Sequence, residues 1–422
     1  MIFLIIWLIL LIINTPMAFS LGIASLIGLL LSNGQLQVIP QRIVGGMDSF
    51  LLLAIPLFIF VGNIANTGGI TERIFNLANA LVGHIKGGLG HVNVVASMIF
   101  AGMSGSMSAD TAGLGRMEIE AMSKAGFDTD FSLGITCASA IIGPIIPPSI
   151  TFIIYGMLSN TSIGALFLGG FLPGLLIGLS LMVQVYFIAK KRKYLTLKKF
   201  SLKNIVDTFK ASFLSLFTPI IIIGGIFFGI FTPTEAAAVA ASYSVILTVL
   251  IYREINFKQL FEIIIKTMES TAIIIIIVGM ASLFGWVLTI YQIPQKVAYV
   301  ILKLVDTPLS ILIIINIFMI FVGCFMEAIA AMTILVPIFM PMILSLGIDP
   351  VHFGLILAIN LGIGSLTPPV GISLYVAADI VKWPITRVTK AVLPFYIPIC
   401  IVLLLIILFP EIVLFIPRLF LG

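Results

Sequence analysis

The sequence predicts an all-α polytopic membrane protein built from two inverted repeats, each with a re-entrant hairpin and a broken helix. The first observation is composition: of 422 residues, 60% are hydrophobic and 9% are charged, whereas soluble domains carry about 25% charged residues. The second is a pair of apolar segments that prolines interrupt, and the third is an internal repeat. Together they exclude an ordinary soluble domain.

The interrupted segments contain Gly143–Ser149, with the sequence GPIIPPS, and Gly364–Val370, with the sequence GSLTPPV. Two adjacent prolines remove backbone donors and clash with the preceding helical turn, so each helix is expected to open there. In hydrocarbon an unpaired carbonyl costs several kcal/mol, so such breaks survive only inside protein or beside a polar cavity. One break alone is compatible with a packing kink. Two at matching positions indicate the binding site of a secondary transporter.

The internal repeat has a constant offset of 221 residues. Overall identity between the halves is weak, as expected of an old duplication. Eight positions are nevertheless identical in both halves without a gap. The pairs are Phe100 and Phe321, Gly102 and Gly323, Gly126 and Gly347, Asp128 and Asp349, Gly143 and Gly364, Pro147 and Pro368, Pro148 and Pro369, Pro173 and Pro394.

Hydrophobic patterning predicts the elements of both repeats. The first repeat is assigned to residues 1–200: one helix over Ile2–Leu31, a second over Ser49–Ala65, an interfacial helix at 71–86, a hairpin at about 92–124, a broken helix at 131–158 and a crossing at 163–189. The second is assigned to 201–422: crossings at 211–231, 234–252 and 269–291, an interfacial piece near 256–267, a hairpin at about 308–345, a broken helix at 351–378 and a last crossing at 391–417.

Basic residues predict the orientation. The loop between Lys190 and Lys210 carries eight lysines and arginines, so the positive-inside rule places it in the cytoplasm. With this topology the first hairpin enters from the cytoplasm and the second from outside, and ten of the other fourteen basic residues lie inside. The net charge of +5 reflects these loops rather than a nucleic-acid partner. Binding of anionic lipid headgroups is an alternative role for the basic loop.

Broken helices predict cation sites, because their free carbonyls can coordinate Na⁺ while their N-terminal amides face an anionic solute. We expect at least two ions. The ligands predicted for the first ion are the carbonyls of Ser104, Gly143, Ile146 and Pro148. By symmetry those for the second are Gly323, Gly364, Thr367 and Val370, including the Thr367 hydroxyl. The alternative is that these small residues only permit close helix contact.

Two acids lie within the predicted hairpins, where an ionisable group is a functional candidate. Glu327 has no basic residue within twenty positions on either side. It is a candidate for the second ion, for the solute or for a proton. Asp110 is equally compatible with a cap at the start of the returning half of its hairpin. The three cysteines, Cys137, Cys324 and Cys400, have no metal-ligand spacing and are predicted to be buried thiols.

The chain resembles the large membrane subunit of tripartite ATP-independent periplasmic (TRAP) transporters over essentially its whole length. The residues that carry the resemblance are Leu53–Phe58, Gly87–Leu89, Ser104–Ser106, Ile146–Ile150, Phe231–Ala238 and Leu366–Gly371. The resemblance implies an inner-membrane elevator transporter coupled to Na⁺, with a small membrane (Q-type) subunit and a periplasmic substrate-binding protein. It implies an organic acid of the sialic acid or C4-dicarboxylate type as the solute.

The resemblance also implies solute contacts at Ser104, Ser106, Ser149 and Glu327, and a scaffold formed by about 1–70, 163–252 and 391–422. The nearest alternative is a stand-alone ion-coupled carrier of organic anions that needs no binding protein. A membrane protease is more distant. Gly102–Gly105 matches a G-x-S-G pattern, but no histidine lies in an apolar segment to act as its base. We therefore expect no enzymatic activity.

Overall fold

The computed structural model describes residues 2–13, 15–32, 34–194, 200–305 and 307–421. Within these ranges the chain is 83% helical and contains no strand. Seven of the described helices are long and apolar enough to cross a membrane. The all-α membrane architecture predicted from composition is therefore confirmed. The predicted basic loop includes Lys198 and Lys199, which lie outside the described residues.

The first half of the chain contains eleven described α-helices. They are α1 Ile2–Ile12, α2 Met17–Leu31, α3 Val38–Met47, α4 Ala54–Thr67, α5 Ile70–Val82, α6 Gly88–Ser104, α7 Met107–Ala112, α8 Leu114–Lys124, α9 Thr129–Ser139, α10 Ile150–Ser159 and α11 Ile163–Arg192. A 3₁₀ turn, Phe50–Leu53, precedes α4, and another, Ala140–Ile142, extends α9.

The second half also contains eleven described α-helices. They are α12 Leu202–Phe227, α13 Pro233–Val245, α14 Phe257–Ile290, α15 Ile293–Leu304, α16 Pro308–Gly323, α17 Ala328–Ser345, α18 Pro350–Ser365, α19 Ile372–Val381, α20 Ile385–Val392, α21 Tyr396–Leu408 and α22 Glu411–Leu421. A π-helical turn, Ile246–Ile251, extends α13, and a 3₁₀ turn, Leu393–Phe395, joins α20 to α21.

The two halves repeat the same order of elements. Helix α17 begins 221 residues after α7 begins and ends 221 residues after α8 ends. Both halves have a helix-turn-helix hairpin, α6 to α8 and α16 to α17, followed by a helix broken at a Pro-Pro pair. Both Pro-Pro bonds, Pro147-Pro148 and Pro368-Pro369, are cis. The depth at which either hairpin enters a membrane stays a prediction.

The N-terminal apolar segment was expected to be one helix over Ile2–Leu31, and this is wrong. The chain reverses before Pro16, where α2 begins, because proline disfavours a helical residue ahead of it. Helix α1 then packs along α2, and a Cβ placed on Gly28 would lie 3.4 Å from the Phe3 ring. The segment is therefore a helical pair, the counterpart of α12 and α13 in the second half.

The interfacial piece predicted near 256–267 is also wrong. It is continuous with the next crossing in α14, a 34-residue helix about 51 Å long at 1.5 Å per residue. Asn256 and Gln259 form a capping box at its start, and no proline interrupts it before Ile290. The amphipathic counterpart of α5 is instead α15, which the sequence reading missed, as it missed α3.

The last crossing was predicted at 391–417 but ends at Leu408. Pro410 separates it from α22, which turns back and packs against α11. Cys400 faces outward on α21, so the prediction that all three thiols are buried is wrong for this residue, whereas Cys137 and Cys324 are buried.

Packing does not follow the predicted scaffold boundaries at 163–252 and 391–422. Helix α11 contacts α6, α18, α21 and α22 much more extensively than it contacts α12. Helices α11, α21 and α22 therefore belong by packing to the group that contains the broken helices. Helices α2, α3 and α4 pack on the long α14, and both α14 and α15 also pack on α17 of the second hairpin. The division into a moving and a static part stays a prediction.

Candidate functional site

The first helix break leaves backbone carbonyls without partners. The carbonyls of Gly143, Ile146 and Pro148 accept no hydrogen bond from the described residues. Ser149 closes the break: its hydroxyl donates to the Pro144 carbonyl at 2.6 Å and accepts from the Phe152 amide at 3.2 Å, which caps α10. The whole break is buried. Its free oxygens therefore face protein, as a cation site requires.

The tip of the first hairpin lies against this break. Gly105 has φ +60°, and a Cβ there would lie 2.6 Å from the Pro148 carbonyl oxygen. Only glycine fits this close approach without strain. The Ser104 carbonyl accepts no hydrogen bond from the described residues. Of the four carbonyls predicted for the first ion, those of Ser104, Gly143, Ile146 and Pro148, none accepts a hydrogen bond from the described residues, and their joint role as ion ligands stays a prediction.

Asp110 lies beside Ser104 and Gly143, although it was not among the ion ligands predicted from the sequence. It is 2% exposed, and one carboxylate oxygen accepts a hydrogen bond from the Ser104 hydroxyl. The other oxygen has no partner among the described residues and lies against Gly143, where a Cβ would approach it to 2.6 Å. The alternative role as a cap is wrong, because Ser106 is the N-cap residue of α7.

The tip of the second hairpin meets the second break in the same way. A Cβ on Gly323 would lie 3.1 Å from Gly364 Cα, so the two backbones are in direct contact. The Cys324 carbonyl accepts from the amides of Val370 and Gly371, both at 3.1 Å. These bonds fasten the hairpin tip to the start of α19.

The ligands predicted for the second ion are brought together, but they are less available than those of the first. The carbonyls of Gly323, Thr367 and Val370 accept no hydrogen bond from the described residues. The Gly364 carbonyl accepts from the Thr367 amide at 2.8 Å, and the Thr367 hydroxyl donates to the Ile363 carbonyl at 2.7 Å. Only the Gly364 carbonyl is engaged as an acceptor, because a hydroxyl that donates its proton keeps its oxygen lone pairs for a cation.

Glu327 is the N-cap residue of α17. Its Oε2 accepts from the amides of Ile329 at 2.9 Å and Ala330 at 3.3 Å. Its side chain is exposed, and no described hydrogen bond uses Oε1. One carboxylate oxygen therefore fixes the helix start and the other is free for an ion, a solute or a proton.

Three of the four residues implied as solute contacts lie at the first tip and break, because a Cβ on Gly105, between Ser104 and Ser106, would lie 3.3 Å from Ser149 Cα. Ser104 is buried and donates to Asp110 of its own hairpin, and Ser149 is buried and donates to Pro144 within the break. Ser106 is half-buried at the first tip, with its hydroxyl 3.2 Å from that of Ser108, and Glu327 is exposed at the second tip. The described side-chain bonds of Ser106 and Glu327 stay within their own hairpins.

The two repeats share one central region. Helix α7 of the first hairpin packs against α19, and α17 of the second hairpin packs against α10. Each hairpin thus contacts the second half of the other repeat's broken helix. The second break is the more open one, since Pro368, Pro369 and Val370 are exposed. Access to this central region is therefore from the side of the second break.

An ion pair outside the spans fixes the start of α9. The Asp128 carboxylate lies 2.6 Å from the Tyr194 hydroxyl and 2.7 Å from Arg192 Nη1. Hydrogen bonds from Tyr194 and then Arg192 lower the pKa of Asp128. A carboxyl with a lowered pKa in the folded state adds stability above its unfolded pKa, and this is lost as pH falls through the folded value.

We expect Asp128→Asn to lower the thermal stability of the purified protein at neutral pH by an amount equivalent to about 0.2–1 kcal/mol, as for exposed ion pairs. The difference from the wild type should begin to shrink as pH falls below about 4, the ordinary pKa of an aspartate, and should disappear as pH falls through the lowered pKa of the folded state. Melting curves across pH measure this. A difference that stays constant down to pH ~3 would contradict the assigned role of the charge.

A transporter with two inverted broken helices is the class that this fold defines, and comparisons with known proteins agree. The chain resembles the YdaH transporter of Alcanivorax borkumensis, with a TM-score of 0.65 and 13% identity over 89% of both chains. It also resembles MtrF of Neisseria gonorrhoeae, with a TM-score of 0.62 and 14% identity over 95% of this chain and 94% of that one. At these identities the likeness concerns the fold.

Sequence relatives are more specific. The family model for the tripartite ATP-independent periplasmic transporter, DctM component, matches residues 4–412. The chain is 48% identical to the sialic acid TRAP transporter large permease protein SiaM of Vibrio cholerae, over 99% of this chain and 98% of that one. It is 37% identical to the C4-dicarboxylate TRAP transporter large permease protein DctM of Pseudomonas aeruginosa, over 94% of both.

The chain therefore belongs to the DctM family of large TRAP transporter permease subunits. It is a multi-pass protein of the bacterial inner membrane. Membership of a tripartite system implies a small membrane subunit and a periplasmic binding protein. The named relatives are permeases, which agrees with the expected non-enzymatic role.

Proposed function

We propose that this subunit imports an organic acid by Na⁺ symport, receiving it from a soluble periplasmic binding protein and working with a small membrane subunit. We propose sialic acid as the solute. Relatives named as sialic acid transporters are 48% and 45% identical, against 37% for a relative named as a C4-dicarboxylate transporter.

One observation carries the proposal: a hairpin tip lies against each helix break, with unpaired carbonyls between them. Backbone oxygens without donors are stabilised by a cation. Asp110 adds a negative charge at the first break, so a bound Na⁺ there would be held by oxygens alone and would be neutralised.

The solute would bind between the hairpin tips, where the repeats meet. Helix N-termini attract carboxylates, and the start of α19 lies beside the exposed residues of the second break. Ser106 offers a hydroxyl from the opposite tip. Glu327 carries the same sign as an organic acid, so its free oxygen is better suited to a sugar hydroxyl or to the second ion than to the solute's carboxylate.

We further propose an elevator movement, in which the hairpins and broken helices carry the site across the membrane together. Contacts between the hairpins and the broken helices, through α7 with α19 and α17 with α10, support movement as one unit. The long α14 and its neighbours are the natural static part.

Uptake of radiolabelled sialic acid into proteoliposomes tests the proposal. The permease, its small subunit and candidate binding proteins are reconstituted with an inward Na⁺ gradient, and with K⁺ in place of Na⁺ as the control. We expect uptake only with Na⁺ and a binding protein. Uptake that ignores Na⁺ would contradict the coupling, and uptake without any binding protein would favour the stand-alone carrier.

A further inference from the structure

A second buried carboxylate lies in the first hairpin, away from its tip. Glu118 on α8 is 1% exposed. Its Oε2 accepts from Asn93 Nδ2 at 2.6 Å, whereas Oε1 has no partner within the described residues. None of the ion pairs formed by the described residues includes Glu118. A buried carboxylate with one unpaired oxygen is costly unless something neutralises it.

Neutral oxygen-bearing side chains surround this acid. Asn93 on α6 lies 2.7 Å from the Thr136 hydroxyl on α9, and its Oδ1 accepts from the Ser139 hydroxyl at 2.7 Å. Ser97 donates to the Ser139 hydroxyl at 3.0 Å. All of these residues are buried. The cluster therefore joins α6, α8 and α9 through one carboxylate and a set of amide and hydroxyl oxygens.

The second repeat shows that hairpin packing does not require a buried carboxylate. At an offset of 221 residues, the counterparts of Glu118, Asn93 and Thr136 are Phe339, Ile314 and Leu357. Phe339 and Leu357 are buried at the same positions of the same helices. The counterpart of Ser139 is Asn360, which is buried and donates to the Asn316 side chain, so the equivalent contact keeps amide groups but has no carboxylate at these positions. The buried acid of the first repeat needs a reason other than packing.

The cluster is also distinct from the hairpin-tip site. Asn93 and Ser104 lie on the same helix, α6, and eleven residues at 1.5 Å each separate them by about 16 Å. One ion cannot contact both Asn93 and Ser104. The part of the cluster nearest the tip site is Thr136, since a Cβ on Gly115 would lie 2.7 Å from Thr136 Cγ2 and 3.5 Å from the Asp110 carbonyl oxygen.

We propose that Glu118, Asn93, Thr136 and Ser139 form a third Na⁺ site, confined to the first repeat; this rests on the proposed Na⁺ symport. A single carboxylate with neutral oxygens matches the charge of a monovalent cation, whereas divalent ions are usually held by more carboxylates. The Asn93 amide would present its oxygen by a half-turn, which its broad terminal torsion allows.

Equilibrium binding of radiolabelled Na⁺ to the purified full-length chain in lipid nanodiscs tests the site. Glu118→Gln keeps the shape of the side chain and removes its charge. We expect this variant to bind one Na⁺ fewer per chain than the wild type. Glu120→Gln is the matched control, because Glu120 lies on the same helix with its side chain 62% exposed, and it should bind as many ions as the wild type.

A second variant covers the case in which Glu118→Gln does not fold. Thr136→Val has the same shape but lacks one oxygen, and it should weaken one Na⁺ class at least ~10-fold. A Na⁺ count unchanged in Glu118→Gln, or an isotherm unchanged in Thr136→Val, would overturn the third site. If the wild type itself binds no Na⁺, the proposed symport fails as well, so the two failures are distinguishable.

Discussion

Asp110→Asn is expected to raise the Na⁺ concentration needed for half-maximal uptake about 100-fold. The substitution keeps an acceptor for the Ser104 hydroxyl but removes the negative charge beside the unpaired carbonyls of the first break. An interaction with a charged group contributes about 1.5–3 kcal/mol, and each 1.4 kcal/mol changes affinity about tenfold. Uptake measured over a series of Na⁺ concentrations gives the shift directly.

Asp130→Asn is the matched control for this prediction. Asp130 also lies in the first repeat, but its side chain is 45% exposed and pairs with Arg387 at 3.2 Å. Its Na⁺ dependence should equal that of the wild type. If Asp110→Asn behaved like this control, the carboxylate would not contribute to an ion site and Asp110 would have only a structural role at the hairpin tip.

Gly105→Ala is expected to abolish Na⁺-dependent uptake. Two costs combine at this position: about 1–2 kcal/mol for a left-handed backbone in a residue with a Cβ, and overlap of the methyl group with the Pro148 carbonyl. Since that carbonyl is a predicted ion ligand, relief of the overlap would separate the hairpin tip from the break. Na⁺ binding should fall together with uptake.

Gly126→Ala isolates the first of these costs, the backbone strain. Gly126 has φ +83°, and a Cβ there would meet no atom within 4 Å. This variant should therefore lose a similar amount of stability from backbone strain but transport normally. Melting temperature and uptake are compared for both variants. Equal losses of uptake in the two would show that Gly105 acts through stability alone and not through the tip contact.

How far the sequence determines the fold can be judged from particular elements. Adjacent prolines cannot continue a helix, so Gly143–Ser149 and Gly364–Val370 open in the structure as predicted. Hydrophobic patterning placed the hairpins within a few residues of α6–α8 and α16–α17. Elements without such signals were misread. The segment at 256–267 was predicted as a separate interfacial piece, whereas it is the first part of α14. Hydrophobic periodicity does not distinguish an interfacial helix from the extension of a crossing.

The sequence predicted the backbone positions of the candidate site but not the roles of its acidic side chains. Proline and glycine determine local backbone geometry, so Ser104, Gly143 and Pro148 could be expected at one break. The role of Asp110 was left open between an ion site and a helix cap, and Glu118 was not singled out, since a carboxylate in the sequence gives no sign of what packs around it.

The sequence by itself determined the membrane class, the duplication and the positions of the two breaks, because each follows from composition or from residues that act on their own backbone. Only the tertiary structure decided that Ser149 is buried as a cap, that Glu327 also caps a helix, and that Asp110 and Glu118 have unpaired oxygens. Burial and missing partners depend on which helices pack around a side chain, as α6 and α9 pack around Glu118, and the residue type alone does not encode that packing.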